Sequence, residues 1–171
     1  MEDIKTALAE LQDNAGVRQV SIVGLRLGAT LACAAAVELP LHNLVLCDPV
    51  LDGHAYLDGQ RSLQRQLRRT WPNAPQSQPA AEHEELLGYR YTAALIDQIG
   101  RLQLDAGAIP QASHVHWLLP SDDPRCRDFP GAVRIVEETG SWEAVEDDLY
   151  AEPYLMPNKR RAIPDLLRDQ A

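Results

Sequence analysis

Val20-Ser21-Ile22-Val23-Gly24-Leu25-Arg26-Leu27-Gly28-Ala29 is the stretch that decides the fold. It begins inside a β-rich run, Val17 to Val23, whose branched side chains suit a pleated strand. Gly24 interrupts that run, and Gly28 opens an Ala-rich apolar segment that reaches Leu39 before Pro40 closes it. The order is strand, tight turn, buried helix. Leu44 to Leu46 with Cys47 reads as a second short apolar strand. A helical crossover between two strands argues for parallel pairing in a sheet covered on both faces.

Outward from this unit, Ile4, Leu8 and Leu11 recur at i, i+4, i+7 opposite Glu, Asp and Lys, which predicts an amphipathic surface helix over residues 2–14. From Asp52 to about Asp105 the pattern becomes helical and polar. Leu57, Leu63 and Leu67 form one apolar stripe, and Leu86, Leu87, Tyr91, Leu95, Ile96 and Ile99 another. Pro72 to Pro79 between them reads as a loop. Val115 to Leu119 and Ala132 to Glu137 supply a third and a fourth strand, and Asn158 to Arg168 a closing helix. The expectation is one α/β domain over residues 1–171, with about four parallel strands, flanking helices and a helical, cap-like insertion over about 53–105.

The chain has 171 residues, 45% of them hydrophobic, enough for a real core. Its net charge of −9 opposes binding to nucleic acid phosphates and anionic membranes. The longest apolar stretch, Leu27 to Val37, is too short to span a bilayer, and the first residues lack the order of a signal peptide, so a cytoplasmic location is expected. Cys33, Cys47 and Cys126 are odd in number and lack metal-binding spacing; they read as buried thiols. No cofactor or metal site is expected. His114 and His116 share one strand face, without an obvious partner to complete a site.

Gly24-Leu25-Arg26-Leu27-Gly28 has the setting of a G-x-S-x-G nucleophile elbow with Arg26 at the serine position. The two glycines suit a strained central residue whose larger neighbours would collide across the turn. With the segment Leu44-Val45-Leu46-Cys47-Asp48-Pro49-Val50-Leu51-Asp52-Gly53-His54-Ala55-Tyr56-Leu57, this stretch resembles the α/β-hydrolase superfamily, in particular its serine-aminopeptidase-like and exosortase-system-associated branch. The resemblance covers roughly residues 2–165, as the C-terminal part of that fold, and is specific over about 20–57. It implies a catalytic acid at Asp122 or Asp123 and a histidine after Val136. The five histidines are His42, His54, His83, His114 and His116, and Ser141-Trp142 stands where a histidine is implied. Triad hydrolysis is therefore expected to be lost.

A complete fold of this type carries further strands before the elbow strand, so the edge of strand 17–23 is expected to pair with another protein chain or with a second copy. Arg26 at a helix N-terminus suits a small anionic ligand, or an internal salt bridge to Asp48 or Asp122. Arg26, Leu27, Asp48 and His54 are the expected ligand-binding set, and Arg26, Asp48 and Asp122 the catalytic candidates. Arg61, Arg65, Arg68 and Arg69 form a cationic stripe on one predicted helix. The reading is a catalytically inactive binding or scaffold subunit. The alternative is a hydrolase or acyltransferase active only when assembled with a partner chain.

Overall fold

A computed structural model describes residues 2–70, 83–104, 112–120, 132–136 and 157–168. In chain order these hold helix α1 (Glu2–Ala15), strand β1 (Ile22–Leu25), helix α2 (Leu27–Ala36), strand β2 (Leu41–Cys47), helix α3 (Gly53–Thr70), strands β3 (His83–Leu86) and β4 (Tyr89–Thr92), helix α4 (Ala93–Gly100), strands β5 (Ala112–Pro120) and β6 (Ala132–Val136), and helix α5 (Pro157–Arg168). They divide into two compact units. One takes the described residues up to Val50 and those from 104 onward; the other takes 51–70 and 83–103. The expected loop 72–79, with Trp71, Asp122, Cys126 and Trp142, lies outside the described residues.

The first unit is built on parallel strands β1, β2 and β5. Ile22 pairs with Leu44 and Leu25 with Cys47, while Leu44 pairs with Val115 and Cys47 with Leu118. β6 runs parallel beside β5, Trp117 opposite Val133. Leu44, Val45, Leu46 and Cys47 are fully buried, which a parallel strand achieves only when helices cover both its faces. α2 covers the Gly24 side with Ala29, Ala32, Cys33, Ala35 and Ala36 buried, small side chains that bring its backbone close to the sheet. Leu25, one residue on, points the other way. There it joins Val45, Cys47 and Leu118 against Ala162, Ile163, Leu166 and Leu167 of α5.

The first strand is shorter than the β-rich run suggests. Residues 17–19 are all exposed, so they have no sheet to bury them; Val20 is buried and its carbonyl accepts from the His42 N–H at 2.8 Å, but the regular ladder starts only at Ile22. The edge strand is therefore Ile22–Leu25 and not 17–23.

In the second unit the helical insertion is only partly helical. Leu86, Leu87 and Tyr91 sit on an antiparallel hairpin, with Glu84 opposite Tyr91 and Leu86 opposite Tyr89. Leu87 and Gly88 both take positive φ, 54° and 82°, the backbone of a two-residue hairpin turn. Gln64 of α3 docks on this hairpin, its Nε2 donating to the Glu85 carbonyl and its Oε1 accepting from the Leu87 N–H. The ends of α3 and α4 also meet closely, since a Cβ on Gly53 would fall 1.7 Å from the Ile99 carbonyl oxygen. Among the described residues, no helix is long and apolar enough to cross a membrane.

Candidate functional site

The site is built where β1 and β2 end. β1 passes into α2 through one residue, Arg26, which has φ 51° and ψ −121°. A non-glycine side chain pays of order 1–3 kcal/mol for such a backbone, so the surrounding contacts have to enforce it. They do so from both sides. The Arg26 N–H donates to the Cys47 carbonyl at 3.0 Å, which holds the turn against β2, and its carbonyl accepts from the Ala29 and Thr30 N–H groups, the first turn of α2.

The elbow glycines are not equivalent. A Cβ on Gly24 would lie 2.5 Å from the Ala29 Cα and 2.7 Å from the Gly28 carbonyl oxygen, so only glycine lets the helix come this close to the strand. A Cβ on Gly28 would meet nothing within 4 Å. The steric reason for the motif thus holds at its first glycine and fails at its second.

β2 ends in a matching turn. Asp48 also has positive φ, 45°, and its N–H donates to the Leu118 carbonyl at 2.9 Å. Its side chain is 6% exposed, and its carboxylate accepts from Arg26 Nη1 at 3.1 Å. The expected internal salt bridge therefore forms with Asp48, and the two residues lie together at the C-terminal ends of neighbouring parallel strands, where ligands of open α/β sheets collect. Leu27, the first residue of α2, is half-buried beside them. Thr30 adds a contact that the pattern of the sequence does not reveal. Buried in α2, it donates its hydroxyl to the Val50 carbonyl at 2.6 Å and fixes the chain just after Asp48-Pro49. Its one signal is a hydroxyl inside an otherwise apolar helix.

His54 belongs to the second unit. Its ring lies over Gly100, where a Cβ would come within 2.9 Å of Cε1, and the residue is exposed, a surface side chain resting on the end of α4. The His42 and His114 rings stand edge to face at 5.5 Å, and His114 stacks toward His116 at 6.5 Å. Among the described residues, no three His, Cys, Asp or Glu side chains are grouped to hold a metal ion. Cys33 and Cys47 are buried and joined in no disulfide among the described residues, and burial pushes the Cys33 thiol up.

A guanidinium is neither nucleophile nor proton donor at neutral pH. At the elbow it offers positive charge and N–H donors, which suits holding an anion and not forming an acyl intermediate. Compared with known proteins, the chain matches no protein-family model and no curated protein.

Proposed function

We propose that this chain is a catalytically inactive α/β-hydrolase-like subunit, with a four-stranded parallel sheet, that acts as a binding or scaffold protein and holds a small anion at Arg26. The observation that carries this reading is the Arg26 backbone: φ 51° and ψ −121° at a strand-to-helix turn, a strained conformation such as the apex of a nucleophile elbow requires, with an arginine on it. Asp48 already engages Arg26, so an incoming anion shares the guanidinium and binds weakly. Acetate titrated against the labelled protein is expected to move the Leu27 and Gly28 amide resonances, and Arg26→Met to abolish the shift. An unchanged shift in Arg26→Met removes the anion site.

The edge of β1 supports a partner. Among the described residues β1 pairs only with β2, and Val23 on it is 44% exposed. Light scattering after size exclusion is expected to give a dimer, or a stable complex with a co-purifying chain; a lone folded monomer removes that half of the reading. The same open edge favours one second reading, a hydrolase or acyltransferase completed in trans. Turnover of p-nitrophenyl esters by the complex and not by the chain alone selects it.

A further inference from the structure

The structure separates the four arginines of α3 into one that is committed and three that are not. Arg61 holds both Glu84 oxygens, Nε at 2.9 Å and Nη2 at 2.8 Å, and Asp58 at 3.1 Å through Nη1. Arg65, Arg68 and Arg69 are exposed, and among the described residues none of them has an ion pair. Their i, i+3, i+4 spacing sets like charges side by side, at a cost of a few tenths of a kcal/mol per pair. The helix C-terminus relieves Arg68 and Arg69 but lies more than a turn from Arg65. Among the described residues the ridge has no ion-paired counter-charge.

Its surroundings suit a protein ligand. Gln64 bonds the hairpin at Glu85 and Leu87, which sets the turn of the hairpin beside this part of α3, and Arg68 follows Gln64 one helical turn on along the same side. Tyr89, opposite Leu86 on that hairpin, is 73% exposed. Arginine and tyrosine are the side chains most enriched where proteins meet.

We propose that the ridge of Arg65, Arg68 and Arg69, with the exposed Tyr89 of the neighbouring hairpin, docks an acidic peptide segment of a partner protein. Charge argues for a peptide over a nucleic acid. The chain's net charge of −9 repels a long phosphate polyanion more than a short segment that brings two or three carboxylates to the ridge. Three guanidiniums spread over about 6 Å of helix axis match two or three carboxylates of a short segment. The inference rests on α3 and the hairpin alone and is independent of Arg26.

The test is fluorescence anisotropy with a fluorescein-labelled octaglutamate peptide, and a labelled dT octamer as the competing chemistry. The peptide is expected to bind, less tightly as salt rises. Combined Arg65→Glu, Arg68→Glu and Arg69→Glu should weaken it about tenfold or more, and Tyr89→Ala several-fold. Lysine at the same three positions should keep part of the affinity, and unchanged far-UV circular dichroism shows that the variants fold. No binding by the native chain, equal binding by the charge-reversed variant, or tighter binding of dT octamer overturns the proposal.

Discussion

Replacing Gly24 and Gly28 by alanine, one at a time, separates the two halves of the elbow. At Gly24 the new methyl falls 2.5 Å from the Ala29 Cα, 2.7 Å from the Gly28 carbonyl oxygen and 2.8 Å from the Ala29 nitrogen, all backbone atoms that cannot turn aside. Relief requires moving α2 away from β1, against Ala29, Ala32 and Cys33 packed on the sheet. Overpacking of this kind costs about 3 kcal/mol or more, a large part of the roughly 5–15 kcal/mol that holds a domain together. At Gly28 the same methyl enters open space on the first turn of a helix, and Gly→Ala there gains about 0.5–1 kcal/mol. For a chain of this size, 1 kcal/mol moves Tm by about 2–4 °C. Gly24→Ala should therefore lower Tm by about 6–12 °C or prevent folding, while Gly28→Ala raises it by about 1–4 °C, both measured by thermal unfolding followed at 222 nm. Equal responses at the two positions, of either sign, would refute the close strand-helix approach.

The Arg26–Asp48 pair should behave as a coupled unit. Arg26→Met removes the guanidinium from a buried carboxylate and is expected to cost about 2–3 kcal/mol in urea unfolding, and the Arg26→Met/Asp48→Asn double variant less than the sum of the singles by about 1–2 kcal/mol; strict additivity would show that the contact carries no energy. The Arg61–Glu84 link predicts an acid-sensitive contribution. The guanidinium holds the Glu84 carboxyl below its usual range, so the folded chain binds this proton less readily than the unfolded chain. The contribution is therefore present above the ordinary glutamate range and lost as pH falls through the lower, folded value. Glu84→Gln should reduce stability at neutral pH by less than about 1 kcal/mol for so exposed a group, and the gap to the native chain should close as pH falls below the ordinary glutamate range. A gap that persists in acid would assign the difference to packing.

The strand, turn and helix around Arg26 were legible because three short signals agree there: a β-branched run, a glycine that only a close approach explains, and an alanine-rich segment closed by Pro40. The pairing of Arg26 with Asp48 was also foreseeable, since residues ending neighbouring parallel strands are brought together by the register itself. The hairpin at 83–92 was not. Leu86, Leu87 and Tyr91 match a helical spacing as well as a strand one, and a leucine at positive φ in the turn gives no local warning, because its conformation is imposed by the Gln64 contacts and the ladder on either side. Gly28 misled in the opposite direction, as a motif glycine with no steric duty. Where the β-rich run of 17–23 actually becomes a strand depended on which residues find a sheet to cover them, and that is a property of the assembled layers.

Gln64 has a consequence for aggregation. A two-stranded ribbon is barely stable in water, and its bare rim is a template on which another chain can extend the ladder. A carboxamide carries the same donor and acceptor as a peptide group, so Gln64, gripping the Glu85 carbonyl and the Leu87 N–H, serves as a third strand one residue long. At that place the rim is closed to a foreign strand by a helix side chain, and the ribbon is shielded from runaway growth without a further strand being spent on it.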